Sequence, residues 1–433
     1  MEGAIACIVI FVLFMALCFL TVPIGVAIGV ACIIYFLMGG AVDMNYITTN
    51  MFTGCDSFPL LAIPFFVLAG TLMEGGGLSK RLVNFFDAFV GHKTGGLAIV
   101  CVIACLFFGA ISGSGPATVA AIGTIMVPTM VEKGYNKGFT MALVASAGCL
   151  GTIIPPSIPM VMYGVATDTS IADMFMAGIL PGITCGLALI ILSVIISKKN
   201  GWTGNGLKFS ISRVFREFID AIWALLVPVI ILGGIYGGFF TPTEAAAVSV
   251  AYALIVGLFI YRELDLKLMW EKFYEASKTT GTILLIVATG TVLSKILTLE
   301  GIPTMVAEAL GSGIHSKILL LLIVNLILLV VGCLMETNSA ILILAPILEP
   351  IAANFGVSPV HFGIIMVVNL SIGFITPPVG ANLFVACSIG NVRFADLARR
   401  VVPFLIALII GLMIITYVEG VSLLLSHLLT GAG

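Results

Sequence analysis

Long apolar runs follow one another along the chain, separated by short polar segments. The runs lie at about 4–20, 22–39, 58–74, 96–130, 139–167, 171–197, 220–238, 243–262, 279–297, 316–352, 359–390 and 401–426. A membrane-spanning helix needs roughly 20 consecutive apolar residues. The pattern therefore predicts an all-α polytopic membrane protein, with six runs on each side of a hydrophilic linker.

Composition excludes several other classes of protein. Hydrophobic residues make up 60% of the 433 residues and charged residues only 9%, whereas soluble domains carry roughly 25% charged residues. The net charge of −2 offers no basic surface for nucleic acid. No phosphate-binding loop and no zinc-protease or serine-hydrolase motif is present, so we expect neither ATP hydrolysis nor another enzymatic activity. The first run has no Lys or Arg before it, so we interpret it as a span rather than a signal peptide.

Glycine and proline recur at one spacing in the two halves. The same residue type stands 222 residues after each of Pro128, Gly134, Gly151, Pro155, Pro156 and Pro181. Transporters are often built from such repeats in inverted orientation. We therefore predict a first inverted repeat at 1–197, a cytoplasmic linker at 198–219 and a second repeat at 220–433.

Two runs in each repeat are predicted to be irregular. The runs at 96–130 and 316–352 have polar centres, at Ser112–Pro116 and Glu336–Ser339, and each arm is short for a crossing. They predict re-entrant hairpins, because irregular backbone at that depth is tolerated only where protein buries it or where it lines a cavity. Pro-Pro pairs predict broken helices at about 139–167 and 359–390. Each repeat would then have about five transmembrane helices, some discontinuous, and one hairpin.

The distribution of basic residues predicts the orientation. With the linker in the cytoplasm, only Lys295 and Lys317 fall on the outer side, which leaves 17 of the 19 Lys and Arg inside. Both termini and the loops at 298–315 and 353–358 would face the periplasm. The segments Leu78–Val90 and Leu264–Lys278 mix charged and apolar residues, which predicts amphipathic helices along the cytoplasmic interface.

The four helix breaks should converge near the middle of the membrane and form the site. Unwound backbone frees carbonyl oxygens, and with Ser, Thr and Asn oxygens these can bind a dehydrated cation such as Na⁺. We predict at least two Na⁺ sites, one in each repeat. Their candidate residues are Ser112, Gly113, Ser114, Gly151, Thr152 and Pro155 in the first, and Thr337, Asn338, Gly373, Thr376 and Pro377 in the second.

Nearby polar residues are candidates for binding an anionic substrate, since helix N-termini favour negative charge. They are Ser112, Ser114, Thr118, Ser157, Glu336, Ser339 and Asn382. Glu336 could instead neutralise a cation or carry a proton, because a carboxylate in a span is costly. The small residues could also serve only close helix packing. Thr71 is expected outside the site, and Glu74 at the membrane interface.

Four segments together resemble one known family. They are Gly109–Thr118 (GAISGSGPAT), Gly151–Ser157 (GTIIPPS), Gly237–Ala246 (GGFFTPTEAA) and Gly373–Gly380 (GFITPPVG). The chain resembles, over essentially its whole length, the large membrane subunit of tripartite ATP-independent periplasmic (TRAP) transporters of the ion-transporter superfamily.

The resemblance implies a function and partners. It implies Na⁺-coupled uptake of an organic acid, such as a sialic acid or a C4-dicarboxylate, across the bacterial inner membrane by an elevator motion. It also implies a separate small membrane subunit of about four helices and a soluble periplasmic binding protein. The alternative is a stand-alone divalent-anion:Na⁺ symporter that needs no binding protein.

Overall fold

The structure is a computed structural model that describes residues 3–20, 22–40, 42–305 and 316–430. Within these ranges every regular element is a helix. Eight of the described helices are long and apolar enough to cross a membrane. The predicted all-α membrane class is thus confirmed. The outermost residues of both termini and the 306–315 part of the predicted periplasmic loop lie outside the described ranges.

The helices follow the predicted order of apolar runs. They are Gly3–Phe19, Ile24–Leu37, Met44–Cys55, Phe58–Leu61 (a 3-10 turn), Ala62–Gly75, Leu78–Val90, Gly96–Ser112, Gly115–Glu132, Lys137–Gly148, Leu150–Ile153, Ile158–Thr167, Ile171–Lys199, Ile211–Tyr236, Pro242–Ile255, Val256–Ile260 (a π turn), Leu266–Leu299, Lys317–Leu334, Thr337–Asn354, Pro359–Gly373, Ala381–Gly390, Phe394–Tyr417 and Gly420–Thr430.

Each predicted hairpin is a pair of helices joined by a tight polar tip. The first hairpin comprises Gly96–Ser112 and Gly115–Glu132, and Gly113 ends its first arm with a φ of 61°. Glycine suits this left-handed conformation because it has no Cβ. The second hairpin comprises Lys317–Leu334 and Thr337–Asn354, and its second arm begins at the capping residue Glu336.

Both predicted broken helices are interrupted at their Pro-Pro pairs. The first broken helix runs from Lys137 to Thr167 and is unwound at 154–157. The second consists of Pro359–Gly373 and Ala381–Gly390. Proline has no N–H to donate and clashes with the preceding turn. The interruptions are therefore built into the sequence itself.

The second half of each broken helix packs against the hairpin of the other repeat. Ile158–Thr167 contacts Thr337–Asn354, and Ala381–Gly390 contacts Gly115–Glu132. The hydroxyl of Tyr163 also donates to the carbonyl of Pro359, at 2.8 Å. Hairpins and broken helices consequently form one interlocked group of helices.

A long helix organises the other group. Leu266–Leu299 contacts Ile24–Leu37, Met44–Cys55 and Ala62–Gly75. The segment Leu264–Lys278, predicted to be an amphipathic helix, is not a helix of its own, because from Leu266 onward it is the first part of the continuous helix Leu266–Leu299. Its placement at the cytoplasmic interface stays a prediction. The charged residues do not end the helix, since Glu and Lys are good helix formers.

The other predicted amphipathic segment, Leu78–Val90, is a helix with those bounds. Two ion pairs tie it to neighbouring segments. Arg213 donates to Asp87 at 2.7 Å, and Arg81 donates to Glu263 at 2.6 Å. Arg81 also lies over the ring of Tyr261, 3.7 Å from its centre. Its placement at a membrane interface stays a prediction.

Candidate substrate and cation site

A cavity of about 630 Å³ lies between the two hairpin tips and the long helix Leu266–Leu299. Several of its lining residues are among those predicted for the site. They are Ser112, Gly113, Ser114, Thr152, Glu336 and Asn338. The structure thus brings residues from both repeats to one cavity, although they are far apart in sequence.

The first hairpin tip is held by hydrogen bonds within itself. The hydroxyls of Ser112 and Thr118 lie 3.0 Å apart, and Thr118 donates to the carbonyl of Ser114 at 2.8 Å. The N–H of Ser114 donates to the Ser112 hydroxyl at 3.4 Å. Thr118 is fully buried and does not line the cavity. Its hydroxyl therefore fixes the shape of the tip from behind.

The first tip rests directly on the first helix break. A Cβ on Gly151 would lie 2.6 Å from the carbonyl oxygen of Ser114, so only glycine allows this approach. The N–H of Ile158 donates to the carbonyl of Gly113 at 3.4 Å. Gly151 and Pro155 belong to the same junction but do not line the cavity.

The second hairpin tip is organised around a carboxylate. Glu336 caps the second arm by accepting from the N–H of Ser339 at 3.1 Å. It also accepts from the side-chain amide nitrogen of Asn338 at 2.7 Å. A carboxylate can only accept, so this bond fixes which end of the Asn338 amide faces it. The Asn338 carbonyl oxygen is buried and has no partner among the described residues.

The second tip also rests on its own helix break. Thr337 donates to the carbonyl of Leu370 at 3.4 Å. A Cβ on Gly373 would lie 2.2 Å from the carbonyl oxygen of Gly332 in the first arm. Thr376 donates to the carbonyl of Ile372 at 2.9 Å, and with Pro377 it forms the break without lining the cavity. The two tips are therefore supported in similar ways.

Three further predicted residues lie behind the cavity wall, fully buried: Ser157, Ser339 and Asn382. Ser157 donates to the carbonyl of Thr152 at 2.5 Å and caps Ile158–Thr167. Asn382 donates to the carbonyl of Ala145 at 3.0 Å and so joins the two repeats. Contact between these side chains and a substrate stays a prediction.

The part of the cavity wall formed by Ala62–Gly75 and the long helix was missed from the sequence. It includes Thr71 and Glu74 of Ala62–Gly75, and Glu275, Lys278, Thr279 and Thr282 of the long helix. The expectation that Thr71 lies outside the site is wrong. Ala62–Gly75 packs against the long helix, and Thr71 lines the cavity there. The spacing of Glu275, Lys278 and Thr282 could have indicated a shared polar helix face, since residues three or four apart lie on the same side of a helix.

Charges on this wall are partly tied together. The amine of Lys272 donates to Glu74 at 3.1 Å and to Glu275 at 3.0 Å. The Lys272 side chain is only 16% exposed. One lysine therefore holds two carboxylates at the cavity edge.

A cavity between paired hairpins and broken helices is typical of membrane transporters. The chain belongs to the family "Tripartite ATP-independent periplasmic transporter, DctM component", whose model matches residues 11–421. The resemblance seen in the four sequence segments is thereby confirmed.

Named relatives are similar over most of this chain. The isethionate TRAP transporter permease protein DctMQ of Oleidesulfovibrio alaskensis is 47% identical over 93% of this chain. The match covers 63% of the length of that relative. The C4-dicarboxylate TRAP transporter large permease protein DctM of Pseudomonas aeruginosa is 42% identical over 93% of this chain and 94% of that protein. The sialic acid TRAP transporter large permease protein SiaM of Vibrio cholerae is 38% identical over 97% of this chain and 98% of that protein.

Solved structures share the fold at low sequence identity. The Alcanivorax borkumensis YdaH transporter has a TM-score of 0.60 and 12% identity, over 90% of each chain. Neisseria gonorrhoeae MtrF has a TM-score of 0.53 and 14% identity, over 85% of this chain and 83% of that chain. These similarities concern the fold alone.

Proposed function

We propose that this chain catalyses Na⁺-coupled uptake of a small organic acid across the bacterial inner membrane. It would work with a separate four-helix membrane subunit and receive its cargo from a periplasmic binding protein. The observation that carries the proposal is the side-chain carbonyl oxygen of Asn338, which is buried and has no partner among the described residues, in a residue that lines the cavity. A buried oxygen without a hydrogen-bond donor is costly, and a cation would remove that cost.

Glu336 supplies the negative charge that such a cation needs. Its carboxylate is two residues from Asn338 and lines the same cavity. Without Na⁺, this charge opposes entry of an organic anion. With Na⁺ bound nearby, the local charge is offset and the anion binds more readily. Coupling then follows from electrostatics, because each ion raises the affinity of the site for the other.

The class of cargo is supported by the relatives and by the cavity. Isethionate, C4-dicarboxylates and sialic acid are named for the relatives, and all of them are small organic acids. A volume of about 630 Å³ lies within the usual range for small-molecule sites, roughly 300–1,000 Å³. The cargo we propose is an acid of this size with a carboxylate or sulfonate group.

We also propose that the hairpins and broken helices move together as an elevator. Their mutual packing supports this, since Ile158–Thr167 and Ala381–Gly390 each contact the opposite hairpin. The group packed around Leu266–Leu299 would remain fixed. The unpaired Asn338 oxygen would then travel with its cation and cargo.

The test is uptake into proteoliposomes that contain the chain and its small subunit. Radiolabelled succinate, isethionate and N-acetylneuraminate would be added with the cognate binding protein, under a Na⁺ gradient or a pH gradient. We expect uptake of one of these acids only with Na⁺ and only with the binding protein. Uptake driven by the pH gradient alone would contradict Na⁺ coupling and make Glu336 the leading candidate for a proton carrier. Uptake without the binding protein would favour the stand-alone symporter.

A further inference from the structure

The long helix Leu266–Leu299 contributes to the cavity wall one basic side chain that the proposed Na⁺ coupling does not use. Lys278 is the basic residue among the described lining residues of the cavity. Lys272, close by on the same helix, does not line it and is bound to Glu74 and Glu275. No carboxylate lies within ion-pair distance of the Lys278 amine in the described part of the chain. Its positive charge is therefore available to a ligand.

The distribution of charge makes this position distinctive. Among the described residues, three carboxylates line the cavity, those of Glu74, Glu275 and Glu336. Glu74 and Glu275 share Lys272, and Glu336 is held by Asn338 and Ser339. An organic anion entering this cavity meets negative charge on both walls. Among the described lining residues, the Lys278 amine supplies the positive charge that this anion can bind.

Neighbouring hydroxyls on the same helix face complete a polar strip. Thr279 donates to the carbonyl of Glu275 at 3.1 Å, and Thr282 donates to the carbonyl of Lys278 at 3.1 Å. Because both hydroxyl hydrogens are used within the helix, the remaining oxygen lone pairs can only accept. Cargo hydroxyl groups could donate to them while the acidic group meets the amine.

We infer that Lys278 binds the carboxylate or sulfonate of the cargo on the part of the cavity wall formed by the long helix. The inference rests on the proposed function, because it assumes that the cavity carries an organic anion. Lys278 would belong to the group that we propose stays fixed. The contact would thus form or break as the hairpins move and would influence release.

The test uses an organic sulfonate as the probe. A Thr282→Cys variant of the complete chain, in nanodiscs, reacts with the anionic 2-sulfonatoethyl methanethiosulfonate or with its cationic trimethylammonium counterpart. Labelling at position 282 is followed by mass spectrometry, which separates it from the native cysteines. The ratio of the two rates reports the local potential, since any change in thiol reactivity affects both reagents alike.

Adding Lys278→Gln should lower the anionic-to-cationic rate ratio about tenfold at low ionic strength, as expected for removing a charge roughly 6 Å away in a water-filled cavity. Lys278→Arg should keep the ratio. Lys267→Gln is the matched control, because Lys267 is exposed on the same helix but does not line the cavity. Lys278→Met provides a second neutral variant if the glutamine variant is unstable.

Equal ratios for the Lys278→Gln and Lys267→Gln variants would overturn the inference, whatever the uptake assays show. A lowered ratio together with failure of all three acids in the uptake assay would preserve the anion contact and overturn the proposed cargo class. The two hypotheses are therefore separable.

Discussion

The hydroxyl of Thr152 donates to the hydroxyl of Ser371 at 2.8 Å, and Ser371 donates in turn to the carbonyl of Val367 at 2.6 Å. Both hydroxyls are buried, and they come from the broken helices of opposite halves of the chain. Thr152 also lines the cavity. A fully buried polar connection between the two halves thus begins at the wall of the proposed site.

Thr152→Val should therefore weaken the link between the halves. The change also removes the contact of the same hydroxyl with the carbonyl of Cys149, at 2.9 Å. Loss of a buried hydrogen bond costs about 0.5–1.5 kcal/mol, and we expect the unfolding temperature of the purified protein to fall by a few degrees. Thr140→Val is the control, because the buried Thr140 hydroxyl has no partner among the described residues. That variant should be neutral or more stable. Equal losses in the two variants would contradict the importance of the Thr152–Ser371 bond.

The hairpin tips should determine the Na⁺ dependence of uptake. Asn338→Ala removes the unpartnered oxygen, and Ser114→Ala removes a hydroxyl from the other tip. A lost ligand should cost about 1–3 kcal/mol, or roughly a 5- to 150-fold higher Na⁺ concentration for half-maximal uptake. Thr129→Val is the control, because its hydroxyl bonds only to Ile125 in its own helix. Unchanged Na⁺ dependence in both tip variants would show that the tips serve packing.

Gly373 should tolerate no side chain. A methyl group there would lie 2.2 Å from the carbonyl oxygen of Gly332, which is backbone and cannot rotate away. Gly373→Ala should destabilise the protein by about 1–3 kcal/mol through overpacking. Gly233→Ala is the matched change in another helix, where no atom lies within 4 Å of the added carbon. Gly233→Ala should stabilise the protein by about 0.4–1 kcal/mol. A denaturation midpoint that falls equally in the Gly373→Ala and Gly233→Ala variants would refute this packing argument.

The predicted orientation can be tested by labelling in intact cells. Lys208→Cys in the linker should be unreactive towards a membrane-impermeant maleimide added outside, because the basic linker is expected in the cytoplasm. Asn354→Cys, in the loop predicted to face the periplasm, should react. Reversed labelling would invert the predicted topology.

The sequence predicted those features that depend on local chemistry. The pairs Pro155–Pro156 and Pro377–Pro378 disrupt a helix through the missing N–H and the clash of the proline ring. The polar segments Ser112–Pro116 and Glu336–Ser339 supply residues typical of helix ends, such as Gly113 at a C-terminus and Glu336 as an N-cap. The structure has a tip or a break at each of these places. Two of them bring Ser114 and Asn338 to the same cavity.

The features that sequence reasoning missed depend on contacts between distant segments. Thr71 lines the cavity because Ala62–Gly75 packs against Leu266–Leu299, a pairing that no local pattern specifies. The charged start of the long helix was interpreted as a surface segment, since amphipathic spacing does not show where a helix ends. Lys278 was counted only as an inside charge, although its helix face lines the cavity.

The cross-packing of the broken helices has a consequence for how the protein is made. The ribosome delivers Gly115–Glu132 to the membrane long before Ala381–Gly390, the helix that will cover it, has been synthesised. Until then the nascent first half presents Gly115 and Gly148, the close neighbours of Asn382, without their final partner. Biogenesis therefore cannot proceed as two independent folding events. Insertion of the last third of the chain is the step that completes both halves at once.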